Sequence, residues 1–392
     1  MMITIEQALQ QIDEVVSVSS KITLPLTQST GRTLAEPIYA PIDLPPFRQS
    51  AMDGYALNFN PDFDHYLIAG EIAAGDATTF TLEPGQCVRI FTGARVPDSA
   101  NMVIMQEDIR IENGFIILEN HVKEGSHIRK QGEQIKKNEP VYPAGRKLTP
   151  ACIGFLCSLG VTEVISYRKP SITIIATGSE LVKPGQPLPQ GKIYESNSYM
   201  LQSAVDYYKL ADSKIIWVKD DLKEISEIIH SAIHQSDFIL LSGGVSAGDY
   251  DFVSQALEMN GVKCIFHKVK QKPGKPLYFG KHETGSYIFG LPGNPAAAMT
   301  SFLVYVIPAL RKFSGEGFTG LQKVQIPLEN AYVKNDDKGY FLKASIKNHK
   351  AKILQGQNSD MMFSFSESDA LMYIPEDVHQ MEADDLVELY LI

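Results

Sequence analysis

The run Leu240-Leu241-Ser242-Gly243-Gly244-Val245-Ser246-Ala247-Gly248-Asp249-Tyr250-Asp251 joins an apolar strand to a glycine-rich turn, two carboxylates and a following helix. A backbone of that kind comes close enough to a phosphate for its N–H groups and the helix N-terminus to hold it. Aspartates beside such an anion would repel it unless a divalent cation lay between them, so the pattern suggests a Mg²⁺-bridged phosphate ester. Taken alone, the run equally fits a strand-to-helix turn in which Asp251 is a simple N-cap.

Two further strand ends carry carboxylates: Thr177-Gly178-Ser179-Glu180-Leu181 follows Ile172–Ala176, and Asp220-Asp221 follows Ile215–Val218. Any one of these is more often a solvated loop acid than a ligand, but three at the carboxyl edge of one sheet can converge on one crevice. Mg²⁺ takes only one or two carboxylates directly, and Asp251 and Glu180 are the favoured pair. Downstream, Lys268, Lys270, Lys272 and Lys275 fall within His267–Pro276, stiffened by Pro273, Gly274 and Pro276. Lysine binds oxyanions as a flexible point charge, and an extended strand would set Lys268, Lys270 and Lys272 on one side. For a charge run alone a solvated basic edge is the more frequent explanation, though the acidic background makes this cluster less ordinary. Gly290-Leu291-Pro292-Gly293-Asn294-Pro295 is a rigid turn feeding a helix, and Ser50–Ala56 and Arg89–Ala94 read, on the residues alone, as turns bearing Asp53 and Thr92.

The elements that must position these groups are legible from pattern. From Ser171 to about Phe313 strands and helices alternate, which implies a doubly wound α/β sheet with its ligand site at the carboxyl ends of the strands. Residues 21–145 are rich in short β-prone runs, and Lys323–Ile392 returns to such runs. Thr149 as N-cap, Pro150 at the first helical position and Gly160 as stop mark a helix. A second follows Thr4, whose capping box with Gln7 precedes the stripe Ile5, Ala8, Leu9, Ile12, Val15 and Val16. The expected division is a helical linker domain (1–40 and 141–168), a β-rich domain (41–140), an α/β domain (169–316) and a small C-terminal β-domain (317–392).

The 392 residues are too many for one ordinary core, and the net charge of −10 argues against a general nucleic-acid binder. Cys87, Cys152, Cys157 and Cys264 lack metal-site spacing and read as reduced core thiols. The N-terminal segment reads as a folded helix and not a signal peptide, and no apolar run approaches bilayer length, so a cytoplasmic location without membrane contact is expected.

In order, Ser50–Ala56, Thr92–Ala94 with Val103–Glu107, Thr177–Leu181, Ser242–Ser246 with Asp251, Lys272–Pro276 and Gly290–Pro295 resemble the motifs of the MoeA family, the molybdopterin molybdenumtransferases, related to the E domain of gephyrin. The resemblance spans nearly the whole chain. It implies an elongated four-domain subunit that forms a homodimer, with each active site shared between the α/β domain of one subunit and the β-rich domain of the other. It also implies Mg²⁺-dependent conversion of adenylylated molybdopterin and molybdate to molybdenum cofactor and AMP, with the preceding molybdopterin adenylyltransferase as an expected partner. Carried over by motif, Asp53, Thr92, Glu180, Asp220 and Asp251 are the polar functional positions. Asp251 and Glu180 would hold Mg²⁺. The turn Ser242, Gly243, Gly244, Val245 and Ser246 would hold pterin phosphate or AMP. Lys268, Lys272 and Lys275, with Pro292 and Pro295, would hold molybdate. Ala296-Ala297, Gly132-Glu133-Gln134, Phe341-Leu342-Lys343 and Ser359-Asp360 depart from the family pattern, Lys343 standing where arginine is typical.

Two rival functions remain. Molybdopterin adenylyltransferases share the α/β motifs but lack the flanking β-domains, Ser50–Ala56 and the Lys-Pro-Gly-Lys-Pro run. A gephyrin-like scaffold would call for an extra domain or long linker that this sequence does not supply.

Overall fold

The computed structural model describes residues 2–119, 123–243 and 252–392. The chain forms two compact units, Met1–Ile22 with Tyr167–Ile392, and Thr23–Ser166.

Helix α1 (Ile5–Val15) starts at the expected box, with Thr4 and Gln7 capping each other reciprocally. Its stripe Ile5, Ala8, Ile12 and Val16 is buried in the α/β core of the first unit. Helix α1 packs there with Ile172, Phe238 and Leu303.

The second unit is built on a sheet of six strands: β1 (Gly54–Leu57), β2 (His65–Ile72), β3 (Gln86–Ile90), β4 (Met102–Met105), β5 (Ile109–Glu112) and β6 (Phe115–Leu118), in the order β4-β1-β3-β2-β6-β5. Its two faces bury separate clusters, Ala56, Val88, Ile90 and Val103 on one and Tyr55, Leu57, Cys87 and Ile104 on the other, as period-2 alternation requires. Helix α2 (Pro150–Ser158) begins where Thr149 accepts from Cys152 N–H, and it packs Cys152 and Leu156 against Leu26 and Leu34.

In the first unit, β7 (Ser171–Thr177), α3 (Asn197–Tyr207), β8 (Asp212–Val218), α4 (Leu222–Gln235), β9 (Phe238–Ser242) and α5 (Phe252–Met259) follow in turn. Then come β10 (Lys263–His267), β11 (Gln271–Lys272), β12 (Tyr278–Lys281) and β13 (Tyr287–Leu291). The sheet runs β8-β7-β9-β13-β12-β10, with the first four strands parallel and the last two antiparallel. Ile172 and Ile174 face α1, α3 and the last helix, whereas Ile175, Ile239 and Leu241 face α4 and α5. Helices thus cover both faces, the doubly wound arrangement expected from the alternation.

The last helix runs from Pro295 to Phe313 as α6 (Pro295–Ser301), a π-helical segment Phe302–Val306, and α7 (Ile307–Phe313). It corrects the expectation that no apolar run reaches bilayer length: its 19 residues are long and apolar enough to span a bilayer, yet its most apolar window is 83% buried inside the protein. Its apolarity is that of a helix surrounded by core. A second correction concerns the thiols. All four cysteines are free, but only Cys87 and Cys152 are buried; Cys157 lies on the outer face of α2 and Cys264 on an edge strand, where neither has a core to enter.

The C-terminal strands β14 (Lys323–Pro327), β15 (Gly339–Lys347), β16 (Lys350–Ile353), β17 (Ala370–Ile374) and β18 (Leu386–Leu391) form a sheet ordered β11-β15-β17-β18-β14, with β16 paired to β15. Its first strand is β11, borrowed from the lysine-rich segment. Gln271 and Lys272 pair in parallel with Gly339 and Tyr340.

Candidate active site

The parallel strands end at one level, since Thr177 pairs with Val218, Ala176 with Ser242, and Ser242 with Leu291. Between β7 and β9 the connections diverge to opposite sides of the sheet, which opens a crevice at their carboxyl ends. Gly243 sits at its floor with φ +92°, and a β-carbon there would lie 2.8 Å from the Thr177 carbonyl oxygen, so this turn requires glycine. Gly293, after β13, approaches Gly243 from the other side. Asn197 donates to the Gly293 carbonyl at 2.7 Å, and its Oδ1 is buried without a hydrogen bond among the described residues. Motif reading missed Asn197 because its neighbours on α3 read only as a helical stripe.

Glu180 is exposed and folds back beside Gly178, and no hydrogen bond or ion pair engages its carboxylate among the described residues. Asp221 caps α4 by accepting from Lys223 and Glu224 N–H, both at 3.0 Å, which leaves Asp220 as the acid of that pair uncommitted among the described residues. Ser242 ends β9 in a buried position. Gly244, Val245, Ser246 and Asp251 lie outside the described residues. No group of three potential metal-ligating side chains occurs among the described residues. One exposed carboxylate at the crevice is nonetheless a donor set suited to a hard cation that keeps most of its waters.

Beside the crevice lies a cavity of about 660 Å³, lined by Lys272–Pro276, by Pro292, Gly293 and Asn294, and by Lys338 and Gln357–Asp360. Gly293 borders both spaces. Lys272 and Lys275 reach the cavity, and neither has an ion-pair partner among the described residues. Lys268 does not line it. The expected strand bearing Lys268, Lys270 and Lys272 on one face does not form: β10 ends at His267, Lys268 turns with φ +79°, and Lys270 pairs with Glu376 at 3.4 Å. A positive φ reverses the chain and so destroys the alternation on which that expectation depended. Pro292 lines the cavity and Pro295 opens α6 at its edge.

The lysine turn is held from beneath. Buried Gln271 donates to the Gly274 carbonyl at 3.1 Å and accepts from Tyr305, which the π-helical segment carries. The opposite wall comes from the C-terminal sheet, which motif reading left without a role. Asn294 Nδ2 donates to Ser359 Oγ at 2.6 Å, tying the Gly-Leu-Pro-Gly-Asn-Pro turn to the Gln357–Asp360 loop. Lys343, the arginine substitute, is buried and donates to the carbonyls of Gly356, Asn358 and Met361 at 2.6, 3.2 and 3.0 Å. Its ammonium therefore shapes the loop, all three donors being engaged. Burial pulls its pKa below the ordinary lysine value.

In the other unit Asp53 and Thr92 meet. Thr92 N–H and Oγ1 both donate to Asp53 Oδ1 at 2.8 Å, and these bonds, with the Arg89 charge, hold the carboxyl below its usual range. Arg89 is itself fixed between the Tyr55 and Phe91 rings and donates to Gln106 at 2.6 Å.

Three family models cover the chain: "MoeA N-terminal region (domain I and II)" at residues 3–160, "Probable molybdopterin binding domain" at 173–312 and "MoeA C-terminal region (domain IV)" at 325–392. A molybdopterin molybdenumtransferase of Nostoc sp. is 38% identical over 74% of this chain and 69% of its own length. That of Haemophilus influenzae is 36% identical over 80% and 78%. The crystal structure of a molybdopterin biosynthesis MoeA protein from Pyrococcus horikoshii superposes with a TM-score of 0.85 at 29% identity, covering 100% of this chain and 99% of that one. With three successive models matched and relatives of this identity spanned over more than two thirds of their length, the chain belongs to the MoeA family of molybdopterin molybdenumtransferases.

Proposed function

We propose that this chain inserts molybdate into adenylylated molybdopterin, giving molybdenum cofactor and releasing AMP. The observation that carries the reading is the junction at Gly293, where a cavity bearing two lysines without ion-pair partners among the described residues adjoins the crevice at the strand ends. In this reading Ser242–Ser246 cradles the pterin phosphate or AMP, and Lys272 and Lys275 attract tetrahedral molybdate as they would phosphate. Lys268 lies off the cavity wall and would serve in the approach of the anion. Pro292 and Pro295 fix the turn that faces the lysines. Mg²⁺, held by Glu180 and Asp251, would neutralise charge on the pyrophosphate linkage. Asp220 stands ready at the neighbouring strand end.

Asp53 and Thr92 complete the site from a second copy in a homodimer, with the chain divided into the four domains expected from its sequence. The setting is the cytoplasm. A molybdopterin adenylyltransferase is the partner that would hand over the adenylylated pterin. The deciding measurement is AMP release from adenylylated molybdopterin with Mg²⁺, with and without molybdate. Molybdate-dependent release is expected; release indifferent to molybdate, or none from folded protein, would overturn the assignment.

A further inference from the structure

We propose that Tyr340 is a positioning residue for Lys272, holding that ammonium at the cavity through its ring and hydroxyl. The inference rests on the reading of Lys272 as a molybdate-binding cation. Three observations support it. First, Lys272 and Tyr340 are direct partners in the β11–β15 pair, and the Gly339 N–H donates to the Lys270 carbonyl at 3.0 Å. Side chains paired in this way project to the same face of the sheet. Second, Lys272 Nζ lies 5.0 Å from the Tyr340 ring centroid and donates to its hydroxyl at 3.5 Å, so the ammonium sits at the hydroxyl end of the ring, within reach of both. Lys272 is otherwise exposed on a long flexible stem, so the ring is what restricts where its charge sits.

Third, the ring is itself anchored. It is 4% exposed, within the apolar core of the C-terminal sheet. Its hydroxyl lies beside Asp336, whose carboxylate accepts from Lys338 N–H at 3.1 Å and Nζ at 2.7 Å. Lys334 Nζ stands 5.7 Å from the same ring but has no freedom to compete for a ligand, because it donates to the carbonyls of Lys338, Pro375 and Glu376. Of the two ammonium groups against this ring, only that of Lys272 lines the cavity. The C-terminal sheet thus acts on the proposed anion site through a side chain that does not line the cavity.

The test removes the hydroxyl once, with phenylalanine, and then varies only the electrons of the ring. Tyr340 is replaced in the full-length protein by phenylalanine and by progressively fluorinated phenylalanines, and AMP release is followed against molybdate and, separately, against adenylylated molybdopterin. Draining the ring face should raise the molybdate KM stepwise, by roughly two- to fivefold from the unfluorinated to the most fluorinated ring, while the pterin KM stays level across the series. A molybdate KM that does not follow fluorination, or one that moves together with the pterin KM, overturns the proposal. Lys272→Ala separates the two readings: if it leaves the molybdate KM unchanged, the role of Lys272 fails. If it raises that KM while the fluorinated series stays flat, only the role of Tyr340 fails.

Discussion

Asp237, a half-hidden charge that no motif announced, and Lys343, buried where the family pattern has arginine, are each held by full use of their hydrogen-bonding capacity. Asp237, at the amino edge of β9 and away from the crevice, accepts from both Arg168 guanidinium nitrogens at 2.6 Å and from Ser171 N–H and Oγ at 2.8 and 2.9 Å. Burial raises its pKa, but those bonds and the Arg168 charge outweigh burial and hold it below the ordinary carboxylate value. A carboxyl depressed in the folded state contributes stability above its unfolded pKa of about 4 and loses it as pH falls through the folded value. Asp237→Asn should therefore lower the urea midpoint at neutral pH, and the gap from wild type should shrink below about pH 4. Urea titrations at several pH values check this, and a gap independent of pH would contradict the assignment. Such pairings escape sequence reading because Arg168 and Asp237 are 69 positions apart and neither belongs to a periodic pattern. Asp53 and Thr92 were nameable from their motifs, but their shared oxygen was not, since it depends on β1 and β3 being neighbours in the sheet.

Strands and helices were legible where a local signal governs them, as in the Thr4 box, the Thr149-Pro150 start of α2, and the α/β alternation that puts Gly178, Gly243 and Pro292 at one edge. Illegible were the elements defined by distant partners. The two residues of β11 carry no strand pattern of their own and become a strand because β15 lies alongside. The lysine run misled for the same reason, a single positive φ at Lys268 outweighing alternation over three lysines. Gly54 illustrates the opposite case, a short strand whose packing one residue controls. It pairs with both Ile90 and Met105 in the middle of the sheet, and a β-carbon there would overlap the Ile104 carbonyl oxygen. Backbone cannot move aside as a flexible side chain would. Gly54→Ala should cost about 1–3 kcal/mol or more, seen as a lower thermal midpoint. It should also disturb the adjoining Asp53–Thr92 contact. An unchanged midpoint would show that β1 and β4 separate more easily than this close approach implies.

The two compact units divide the proposed machinery, with Asp53 and Thr92 in one and Lys272, Lys275 and Glu180 in the other. A site assembled in trans between two copies makes a prediction that a site within one chain does not. Take two variants, Asp53→Asn and Lys272→Ala, each expected to release little AMP as a homodimer. In a mixed dimer, one site would combine both altered residues, and the other would combine the unaltered Asp53 of one subunit with the unaltered Lys272 of its partner. Random mixing makes half the dimers mixed and half of their sites intact, so co-refolded or co-expressed variants should recover about a quarter of wild-type AMP release. Were each site built within a single chain, every site would keep one altered residue and mixing would recover nothing. Recovery that also rises with the fraction of mixed dimers, counted by mass from differently tagged subunits, would tie the activity to the shared arrangement; mixed dimers that form in quantity without recovery would place both units of the site in one chain.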